Sequence, residues 1–458
     1  MQRYIFFEKT KQGTKIIYVC EVMTSDSSIK ISIPNKKICT SINVPISKSE
    51  AGRLLVLQAL SDGRIKLQNT SSANDAKIIE RALVNNEKEI NIEDAGTAMR
   101  FLTAYFCAKN EHKILRGTER MYERPIGELV NALREIGFDI RYLNNENFPP
   151  LEIVPINLET LKNETEINGT ISSQFISALM MIGAFLQKGL TIKIKDGKTI
   201  SEAYIKLTAS LMKECGIEPE FSENKIVIKS QNVQPISVSA GGDWTNVSYW
   251  YAFAALSESA EITIENLKKE TAQGDIAIVE IGKVFGVETI FESNKITLKK
   301  EASFRVQRSG IEESPKHFGD FSTRISADAT MLNRNDELSF NFSNNPDLAQ
   351  TIIVLCAGLN REATFTGLQS LRIKETDRIV ALQEELKKIG FELQETEANT
   401  FALKGKFHAP ILPIKTYNDH RMAMAFAPLS LLAEIEIEEP NVVRKSYPEF
   451  WNEVAKLY

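Results

Sequence analysis

The stretch Leu382-Gln-Glu-Glu-Leu-Lys-Lys-Ile-Gly390-Phe-Glu-Leu393 decides the fold, because a glycine joins its amphipathic helical pattern to an extended segment. Helices often end at a glycine, which adopts positive φ without strain, and alternating apolar residues after it are typical of a strand. The same pattern recurs at Gly137, Gly216 and Gly286, so that successive glycines lie 79, 70 and 104 residues apart. Four copies spread over the chain predict a fold of repeated β/α units.

Short alternating segments between these helical patterns supply further strands, at residues 30–33, 190–194, 225–228, 261–264 and 295–298. The chain has 458 residues, of which 43% are hydrophobic and 25% charged, a balance typical of a globular protein with two large domains or several smaller units. We therefore predict an α/β (α+β) fold. Polar loops at 144–150 and 230–242 are the best local candidates for a domain boundary.

Charge and composition argue against several function classes. Lys and Arg total 55 against 60 Asp and Glu, a net charge of −5, so a broad basic face for nucleic acid is not expected. The five cysteines form no CxxC pair, which argues against a disulfide framework or a zinc site and favours a reducing cytoplasm. The sequence also lacks a P-loop and a GxGxxG fingerprint. We expect no metal and no cofactor.

Targeting and membrane segments are not expected either. The apolar run at residues 4–7 is far shorter than the apolar core of a signal peptide. The longest apolar stretch, 178–186, is about half of what spans a bilayer. The patterns therefore predict a cytoplasmic protein that does not bind membranes.

Basic and hydroxyl residues crowd at the starts of several predicted helices. They occupy segments 47–53, 94–100, 124–127, 171–175, 372–378 and 418–421, where free backbone N–H groups and cations suit phosphate or carboxylate. In the third segment, Pro125 is predicted at the first helical position. Taken alone, each segment is also explained as a helix cap or a solvated helical face. Together with the acids Asp347 and Glu375, they indicate an enzyme that binds multiply charged anions and moves protons.

These segments resemble the 5-enolpyruvylshikimate-3-phosphate synthase family of enolpyruvyl transferases. The resemblance rests on seven motifs in the family's order: Ser47-Lys-Ser49 with Arg53, Asp94-Ala-Gly-Thr-Ala-Met-Arg100, Glu123-Arg-Pro-Ile-Gly127, Ser172-Ser-Gln-Phe175, Pro346-Asp347, Arg372-Ile-Lys-Glu-Thr-Asp-Arg378 and Tyr417-Asn-Asp-His-Arg-Met-Ala-Met424. It implies transfer of the enolpyruvyl (1-carboxyvinyl) group of phosphoenolpyruvate to the 5-hydroxyl of 3-phosphoshikimate. Phosphate is released, on the route to chorismate and the aromatic amino acids.

The resemblance also implies a fold of two globular domains, each of three βαββαβ units in an inside-out, barrel-like arrangement. In the family the chain crosses twice between the domains, and we place the crossings near Val44 and Gly241. Residues 1–44 plus 241–458 then form the domain with the phosphoenolpyruvate clamp and the acid and base. Residues 45–240 form the domain with the 3-phosphoshikimate pocket. The active site is expected in the cleft between them, and closure of the two halves would exclude water.

Binding roles are implied at the positions that match the family's motifs. Lys48 is similar to the lysine that lies between the two substrates. For 3-phosphoshikimate, the resemblance implies contacts from Lys48, Ser49, Arg53, Ser172, Ser173, Gln174, Ser201, Tyr204, Asp347 and Lys374. For phosphoenolpyruvate, it implies contacts from Lys48, Gly96, Thr97, Arg124, Gln174, Arg378, Arg421 and Lys445.

Three residues are similar to the family's catalytic groups: Lys48, Asp347 and Glu375. Asp347 resembles the base toward the 5-hydroxyl, and Glu375 resembles the proton donor to the methylene carbon. These roles fit the chemistry, because an attacking alcohol needs a base and the double bond needs a proton before a tetrahedral intermediate forms. The sequence leaves open which acid moves which proton.

Some positions depart from the family's usual residues. Asp94 stands where Asn is common, Phe101 where Pro is common, and Ser370 where a pocket Asn is frequent. We expect none of the three to touch the essential cations, and they leave tolerance to the inhibitor glyphosate open. The segment 242–249 also differs, and its aromatic residues are expected to pack at the crossing. The first 28 or so residues exceed the family's usual start and either add a strand or lie at the periphery.

Two other functions are compatible with such a chain. A sister enzyme transfers enolpyruvyl to UDP-N-acetylglucosamine, but that family has Lys-Asn in place of Lys48-Ser49 and a reactive cysteine shortly before its Arg-Pro, whereas residues 119–123 contain none. The other alternative is an inactive anion-binding relative, which should have lost Lys48, Asp347 or Glu375, whereas this chain has all three. We therefore expect the two small-molecule substrates as partners, no nucleic acid or membrane, and the family's usual monomer.

Overall fold

The computed structural model describes residues 5–11, 14–20, 27–199, 201–267, 269–302, 331–332 and 338–458. The α-helices of these residues are α1 (Lys48–Leu60), α2 (Asn74–Val84), α3 (Gly96–Ala108), α4 (Gly127–Ile136), α5 (Ser173–Gly183), α6 (Glu202–Glu214), α7 (Trp244–Leu256), α8 (Ile278–Val284), α9 (Ala349–Gly358), α10 (Arg378–Lys387), α11 (His420–Phe426) and α12 (Phe450–Val454).

The strands of the same residues are β1 (Ile5–Lys11), β2 (Thr14–Cys20), β3 (Ser28–Ile31), β4 (Lys37–Asn43), β5 (Ile65–Leu67), β6 (Glu89–Asn91), β7 (Lys113–Arg116), β8 (Asp139–Tyr142), β9 (Leu151–Val154), β10 (Glu164–Gly169), β11 (Leu190–Thr199), β12 (Glu220–Ser222), β13 (Lys225–Ile228), β14 (Ile236–Val238), β15 (Ser259–Glu265), β16 (Glu288–Phe291), β17 (Lys295–Lys300), β18 (Met331–Leu332), β19 (Leu338–Asn341), β20 (Ala363–Thr366), β21 (Phe391–Glu397), β22 (Thr400–Gly405) and β23 (Ile435–Glu438).

At each of the four predicted junctions, a helix is followed by a glycine of positive φ and then by a strand. The angle φ is 122° at Gly137, 76° at Gly216, 77° at Gly286 and 86° at Gly390. The helices are α4, α6, α8 and α10, and the strands are β8, β12, β16 and β21. The predicted pattern is therefore confirmed, since only glycine enters this region of φ without strain.

Four sheets repeat one strand order. In the sheet β6-β7-β9-β8, the first two strands are parallel and the other neighbours antiparallel. The sheets β10-β11-β13-β12, β4-β15-β17-β16 and β19-β20-β22-β21 have the same order and directions, with β18 added at the edge of the last. A single helix, α3, α5 or α9, connects three of the parallel pairs, whereas the whole of lobe 1 and then α7 lie between β4 and β15 in the chain. The predicted mixed α/β class is confirmed.

The buried apolar side chains form two clusters, which we call lobe 1 and lobe 2. Lobe 1 takes its residues from Ala51 to Ala240. Lobe 2 takes its residues from Ile29 to Val44 and from Trp244 to Leu457. Each lobe holds two of the repeated sheets and one two-stranded sheet, β14-β5 in lobe 1 and β23-β3 in lobe 2. The chain thus passes between the clusters near Val44 and Gly241.

Most predicted helix starts lie within one or two residues of their observed positions. Ser47, Ser172 and Asp419 are the capping residues of α1, α5 and α11, and each accepts a backbone N–H with its side chain. The placement of Pro125 at the first helical position is wrong, because α4 begins at Gly127. The carbonyl oxygen of Pro125 accepts a hydrogen bond from the Arg100 side chain (3.1 Å) and lies outside the hydrogen-bonded turns of α4.

Three further predictions concern a loop, the N-terminal segment and membrane-spanning helices. Residues 144–150 connect β8 to β9 within one sheet, so this loop is not a boundary between the lobes. Residues 5–11 and 14–20 form an antiparallel hairpin, whereas Tyr4 of the apolar run lies outside the described residues. The described part of the chain contains no helix that is both long and apolar enough to cross a membrane.

Candidate active site

A cleft between the two lobes collects polar residues from both. It encloses about 970 Å³ of empty space, including the part open to solvent. Its walls contain nearly all predicted site residues: Lys48, Ser49, Arg53, Gly96, Thr97, Arg124, Ser172, Ser173, Gln174, Ser201, Tyr204, Asp347, Lys374, Glu375, Arg378 and Arg421. Lys445 lines an adjoining cavity, which shares Arg124 and Glu375 with the cleft. Folding therefore assembles residues that lie up to 373 positions apart in the chain.

Arg53 forms a rigid cation on the lobe 1 side. Its Nε donates to the hydroxyl of Thr208 (2.7 Å), and its Nη atoms donate to the carbonyl of Ser49 (2.8 Å) and the hydroxyl of Ser177 (3.3 Å). The guanidinium carbon lies 5.2 Å from the centre of the Phe101 ring, a cation–π distance. Burial lowers the pKa of Arg53 to about 10, so the side chain stays charged at neutral pH.

The starts of α1, α3 and α5 border the same part of the cleft. Lys48, Gly96 and Ser173 are the first residues of these helices, whose first backbone N–H groups have no carbonyl partner within the helix. The N–H of Lys48 donates instead to Asp243 (3.2 Å). The amide of Gln174 donates to the hydroxyl of Thr97 (3.2 Å) and joins α5 to α3. Helix starts that converge in this way favour a negatively charged ligand.

Ser201 lies at the opposite edge of this region, directly before α6. Its φ of 53° and ψ of 44° place it in the left-handed region, which is strained for a residue with a side chain. The strain positions Ser201 and, one turn later, Tyr204 against the cleft.

Two arginines crowd the corner beside Gly96. Arg100 donates to the carbonyls of Gly96 (2.9 Å) and Pro125 (3.1 Å), and Arg124 donates to the carbonyl of Asp94 (3.4 Å). A Cβ at residue 96 would lie 2.6 Å from guanidinium nitrogens of both arginines, so a larger residue would displace these cations. Burial, and then the charge of Arg124, hold the pKa of Arg100 well below its ordinary value. This corner is therefore short of negative charge.

Asp347 is the centre of the lobe 2 side. Its Oδ1 lies 3.0 Å from Arg378 and 3.7 Å from Lys374, and its Oδ2 lies 3.0 Å from Arg421. Tyr204 of lobe 1 donates its hydroxyl to Oδ2 (2.8 Å). Burial opposes ionisation, but the charges of Arg421, Lys374 and Arg378 hold the pKa of Asp347 well below its usual value. The side chain is therefore a carboxylate.

Glu375 is the second buried acid of the cleft. Its Oε2 accepts from Arg378 (2.8 Å), and its Oε1 lies 3.7 Å from the amine of Lys445. Burial raises the pKa of Glu375, but Arg378, Lys445 and Arg124 more than offset this and hold it well below the usual range. Arg378 itself is fixed by Asp419, whose Oδ2 lies 2.7 Å from its Nε. Asp419 thus orients a cation that touches both acids.

Five residues belong to this site although they were not assigned to it from the sequence: Asp75, Arg100, Arg120, Asp419 and His420. Arg100, Asp419 and His420 lie inside the quoted segments, so proximity to a motif was a usable signal. His420 is fully buried, and neither ring nitrogen has a hydrogen-bond partner among the described residues, although Nδ1 lies 3.6 Å from Asp419. Burial, and then the charge of Lys48, hold the pKa of His420 well below its ordinary value, so the ring is neutral.

Nothing in the sequence around Asp75 or Arg120 indicated that these residues belong to the site. Asp75 lies in the first turn of α2, where an acid normally complements the helix dipole, yet its carboxylate lies 3.4 Å from the amine of Lys48. Arg120 follows Glu119 in a polar turn, yet it donates across the cleft to the carbonyls of Lys374 (3.0 Å) and Glu375 (3.1 Å).

The expectation that the departures from the family pattern touch no essential cation is wrong at two positions. Asp94 forms an ion pair with Lys445, and the ring of Phe101 lies against Arg53. Ser370 lines the cleft, and its buried hydroxyl has no partner among the described residues. These contacts arise because the turn before α3 and the body of that helix lie at the cleft, which spacing in the sequence does not show.

Comparison with solved structures defines the class of protein. EPSP synthase of Acinetobacter baumannii superposes with a TM-score of 0.68 at 18% identity, covering 94% of this chain and 98% of that one. The enolpyruvyl transferase NikO of Streptomyces tendae superposes with a TM-score of 0.66 at 12% identity, covering 94% and 97%. The fold is that of the enolpyruvyl transferases.

Comparison of sequences is more specific. The family model for EPSP synthase (3-phosphoshikimate 1-carboxyvinyltransferase) matches residues 74–454. A 3-phosphoshikimate 1-carboxyvinyltransferase of Bacteroides fragilis is 41% identical over 93% of this chain and 97% of its own. One from Haemophilus influenzae is 32% identical over 91% and 96%. The chain belongs to the EPSP synthase family and is a transferase of aromatic amino acid biosynthesis.

Proposed function

We propose that the cleft transfers the enolpyruvyl group of phosphoenolpyruvate to the 5-hydroxyl of 3-phosphoshikimate and releases phosphate. The observation that carries this proposal is the arrangement of cations from both lobes around two buried carboxylates, Asp347 and Glu375. Two phosphorylated, carboxylate-bearing substrates need such cations, and moving protons at oxygen and carbon needs such acids.

We place 3-phosphoshikimate mainly against lobe 1. Arg53 and Lys48 supply cations for its anionic groups, and Ser49, Ser172, Ser173, Gln174, Ser201 and Tyr204 supply hydrogen bonds for its phosphate and hydroxyls. Lys374 faces this pocket from lobe 2, 3.7 Å from Asp347. Burial lowers the pKa of Lys374, and the charges of Arg378 and Arg421 lower it further, whereas Asp347 raises it. In this arrangement the amine of Lys374 lies beside the reacting hydroxyl.

We place phosphoenolpyruvate between the arginine corner of lobe 1 and the clamp of lobe 2. The groups around it are Lys48, Gly96, Thr97, Arg124, Gln174, Arg378, Arg421 and Lys445. Arg421 is held in place by Asp347 and by the hydroxyl of Tyr249 (3.4 Å). Cations held by other protein groups do not need to reorganise when a phosphate arrives or leaves.

The proposed reaction balances through these groups. Asp347 accepts the proton of the 5-hydroxyl while that oxygen bonds to C2 of phosphoenolpyruvate, and Glu375 donates a proton to C3. Glu375 then takes a proton back from C3 while the tetrahedral intermediate expels phosphate, which restores the double bond, and Asp347 passes its proton to the departing phosphate. Lys48 lies between the substrates and stabilises the negative charge of both.

The cations around Glu375 make its protonation dependent on substrate binding. Arg378, Lys445 and Arg124 keep it ionised in the structure. The negative charges of phosphoenolpyruvate would offset those cations, which raises the pKa of Glu375 and allows it to take up a proton. When substrate charges pair with these cations, Asp347 loses part of its own ion pairs and becomes a stronger base.

The organisation around the site is part of the proposal. The division into residues 1–44 plus 241–458 and residues 45–240 is supported by the two apolar clusters, which part near Val44 and Gly241. A reducing cytoplasm is supported by free thiols at Cys39, Cys107, Cys215 and Cys356. The family's usual monomer stays a prediction.

The test is phosphate release from purified protein given phosphoenolpyruvate alone, with 3-phosphoshikimate, or with UDP-N-acetylglucosamine. We expect release with 3-phosphoshikimate only, and its loss in Lys48→Met. The control is Lys66→Met, the same change on an exposed strand residue, which should retain activity. Release with the UDP sugar, or none from folded protein, would contradict the proposal.

A further inference from the structure

Lys445 and Asp94 form an ion pair across the cleft. Lys445 ends the 3-10 helix Pro440–Lys445 of lobe 2, and Asp94 lies in the turn before α3 of lobe 1. The amine contacts the Asp94 carboxylate and also donates to the Asp94 carbonyl oxygen (3.1 Å). Glu375 and Asp75 are more distant from it, at 3.7 Å and 3.9 Å. Asp94 is therefore the closest anionic partner of this lysine among the described residues.

The two partners differ in their exposure. The side chain of Lys445 is 7% exposed, whereas that of Asp94 is 38% exposed. A carboxylate at that position can return to water easily. The buried lysine would keep Glu375 and Asp75, at 3.7 Å and 3.9 Å, as partners, but losing its closest anion would still cost free energy. An incoming anion that replaces Asp94 would remove that cost.

The position of the pair relates it to phosphoenolpyruvate. Lys445 lines the cavity next to the cleft together with Asp94, Arg124 and Glu375, rather than the cleft wall itself. An anion seated on Arg124 and Lys445 would lie close to the Asp94 carboxylate and be repelled by it. Binding of that anion therefore competes with the Asp94–Lys445 pair.

We propose that Asp94 sets the affinity for phosphoenolpyruvate, by acting as an internal anion that occupies Lys445 when the cleft is empty. This inference rests on the proposed function. Asp94 takes no part in the chemistry, so it should affect the binding of phosphoenolpyruvate and not the turnover of bound substrates.

The experiment compares Asp94→Asn with the unmodified protein at saturating 3-phosphoshikimate. Removing the internal anion should lower KM for phosphoenolpyruvate at least about threefold, the size expected for a partly exposed ion pair beside a buried cation. The kcat and the KM for 3-phosphoshikimate should stay within about twofold.

Two variants control for general charge effects. Glu93→Gln makes the same change of net charge one residue away, where the carboxylate binds Arg81 (2.9 Å) and Asn74 (3.2 Å) inside lobe 1. It should leave KM for phosphoenolpyruvate unchanged. Asp94→Glu keeps the charge and should retain a KM near that of the unmodified protein.

A double-mutant cycle with Lys445→Met distinguishes two effects of Asp94: competition with phosphoenolpyruvate for Lys445, and direct repulsion of phosphoenolpyruvate. If Asp94 acts through Lys445, adding Asp94→Asn to Lys445→Met should change KM for phosphoenolpyruvate by less than about twofold. An unchanged or higher KM in Asp94→Asn, or an equal effect in Glu93→Gln, would overturn the inference. Turnover by the unmodified protein in the same assay shows independently whether the proposed function holds.

Discussion

At the residue scale, charge on the cleft walls is compensated by ion pairs within the protein. Asp347 and Glu375 each contact at least two cations, and Arg378 contacts both acids and Asp419. Buried ion pairs of this kind do little for stability, because desolvation consumes most of the attraction. Their effect is to hold cations and acids in fixed positions until substrates replace some of the partners.

Glu375→Gln tests the division of roles between the two acids. The amide cannot donate a proton to the methylene carbon, so kcat should fall about 10²- to 10⁴-fold, the range of general acid catalysis. Exchange of solvent deuterium into the methylene group of phosphoenolpyruvate, measured by mass spectrometry with 3-phosphoshikimate present, should be lost as well. Asp347→Asn is the matched control for removal of one buried carboxylate. Exchange that persists in Glu375→Gln would assign the proton at carbon to another group.

At the element scale, the repeated helix–glycine–strand junction builds the lobes and places helix starts at the cleft. The junction after α10 is tighter than those at Gly137 and Gly216, because Gly390 packs against the strand that ends at Gly405. A Cβ on Gly390 would overlap the carbonyl oxygen of Lys406, whereas a Cβ on Gly216 would meet nothing within 4 Å. Both glycines have φ near 80°, so they share the strain of a side chain in that region and differ in packing.

Gly390→Ala and Gly216→Ala form a matched pair at this scale. Gly216→Ala should lower the free energy of unfolding by about 1–2 kcal/mol, from backbone strain alone. Gly390→Ala adds steric overlap with backbone that cannot move aside, so the loss should exceed that of Gly216→Ala by about 1 kcal/mol or more. Urea denaturation of the two variants measures the difference. Equal losses would show that the junction after α10 can relax.

At the scale of the whole molecule, three residues make polar contacts from one lobe to the other at the proposed site. Arg120 reaches from lobe 1 to the carbonyls of Lys374 and Glu375, and Tyr204 reaches from lobe 1 to Asp347. Lys445 reaches back from lobe 2 to Asp94. Each contact ends on or beside a proposed site residue, so the position of one lobe relative to the other determines the geometry of the site.

Arg120→Ala should weaken this link without removing a proposed substrate ligand. We expect kcat/KM for both substrates to fall about tenfold, because the loop that carries Lys374 and Glu375 loses two hydrogen bonds from a charged donor. The melting temperature should change little. Arg116→Ala removes an exposed arginine that pairs with Glu89 within lobe 1, and it serves as the control. An unchanged kcat/KM in Arg120→Ala would show that this contact does not position the loop.

The repeated units, the α/β class and most of the cleft lining could be predicted from the sequence alone. Helix–glycine–strand junctions and capping residues are local signals, and the motif residues carry the family resemblance along the chain. The tertiary structure decided what those signals could not contain: that Asp75 lies beside Lys48, that Asp419 fixes Arg378, that Arg120 spans the cleft, and that Asp94 occupies Lys445. The physical reason is that a long-range ion pair depends on how two lobes pack together, and no local periodicity or spacing encodes that arrangement.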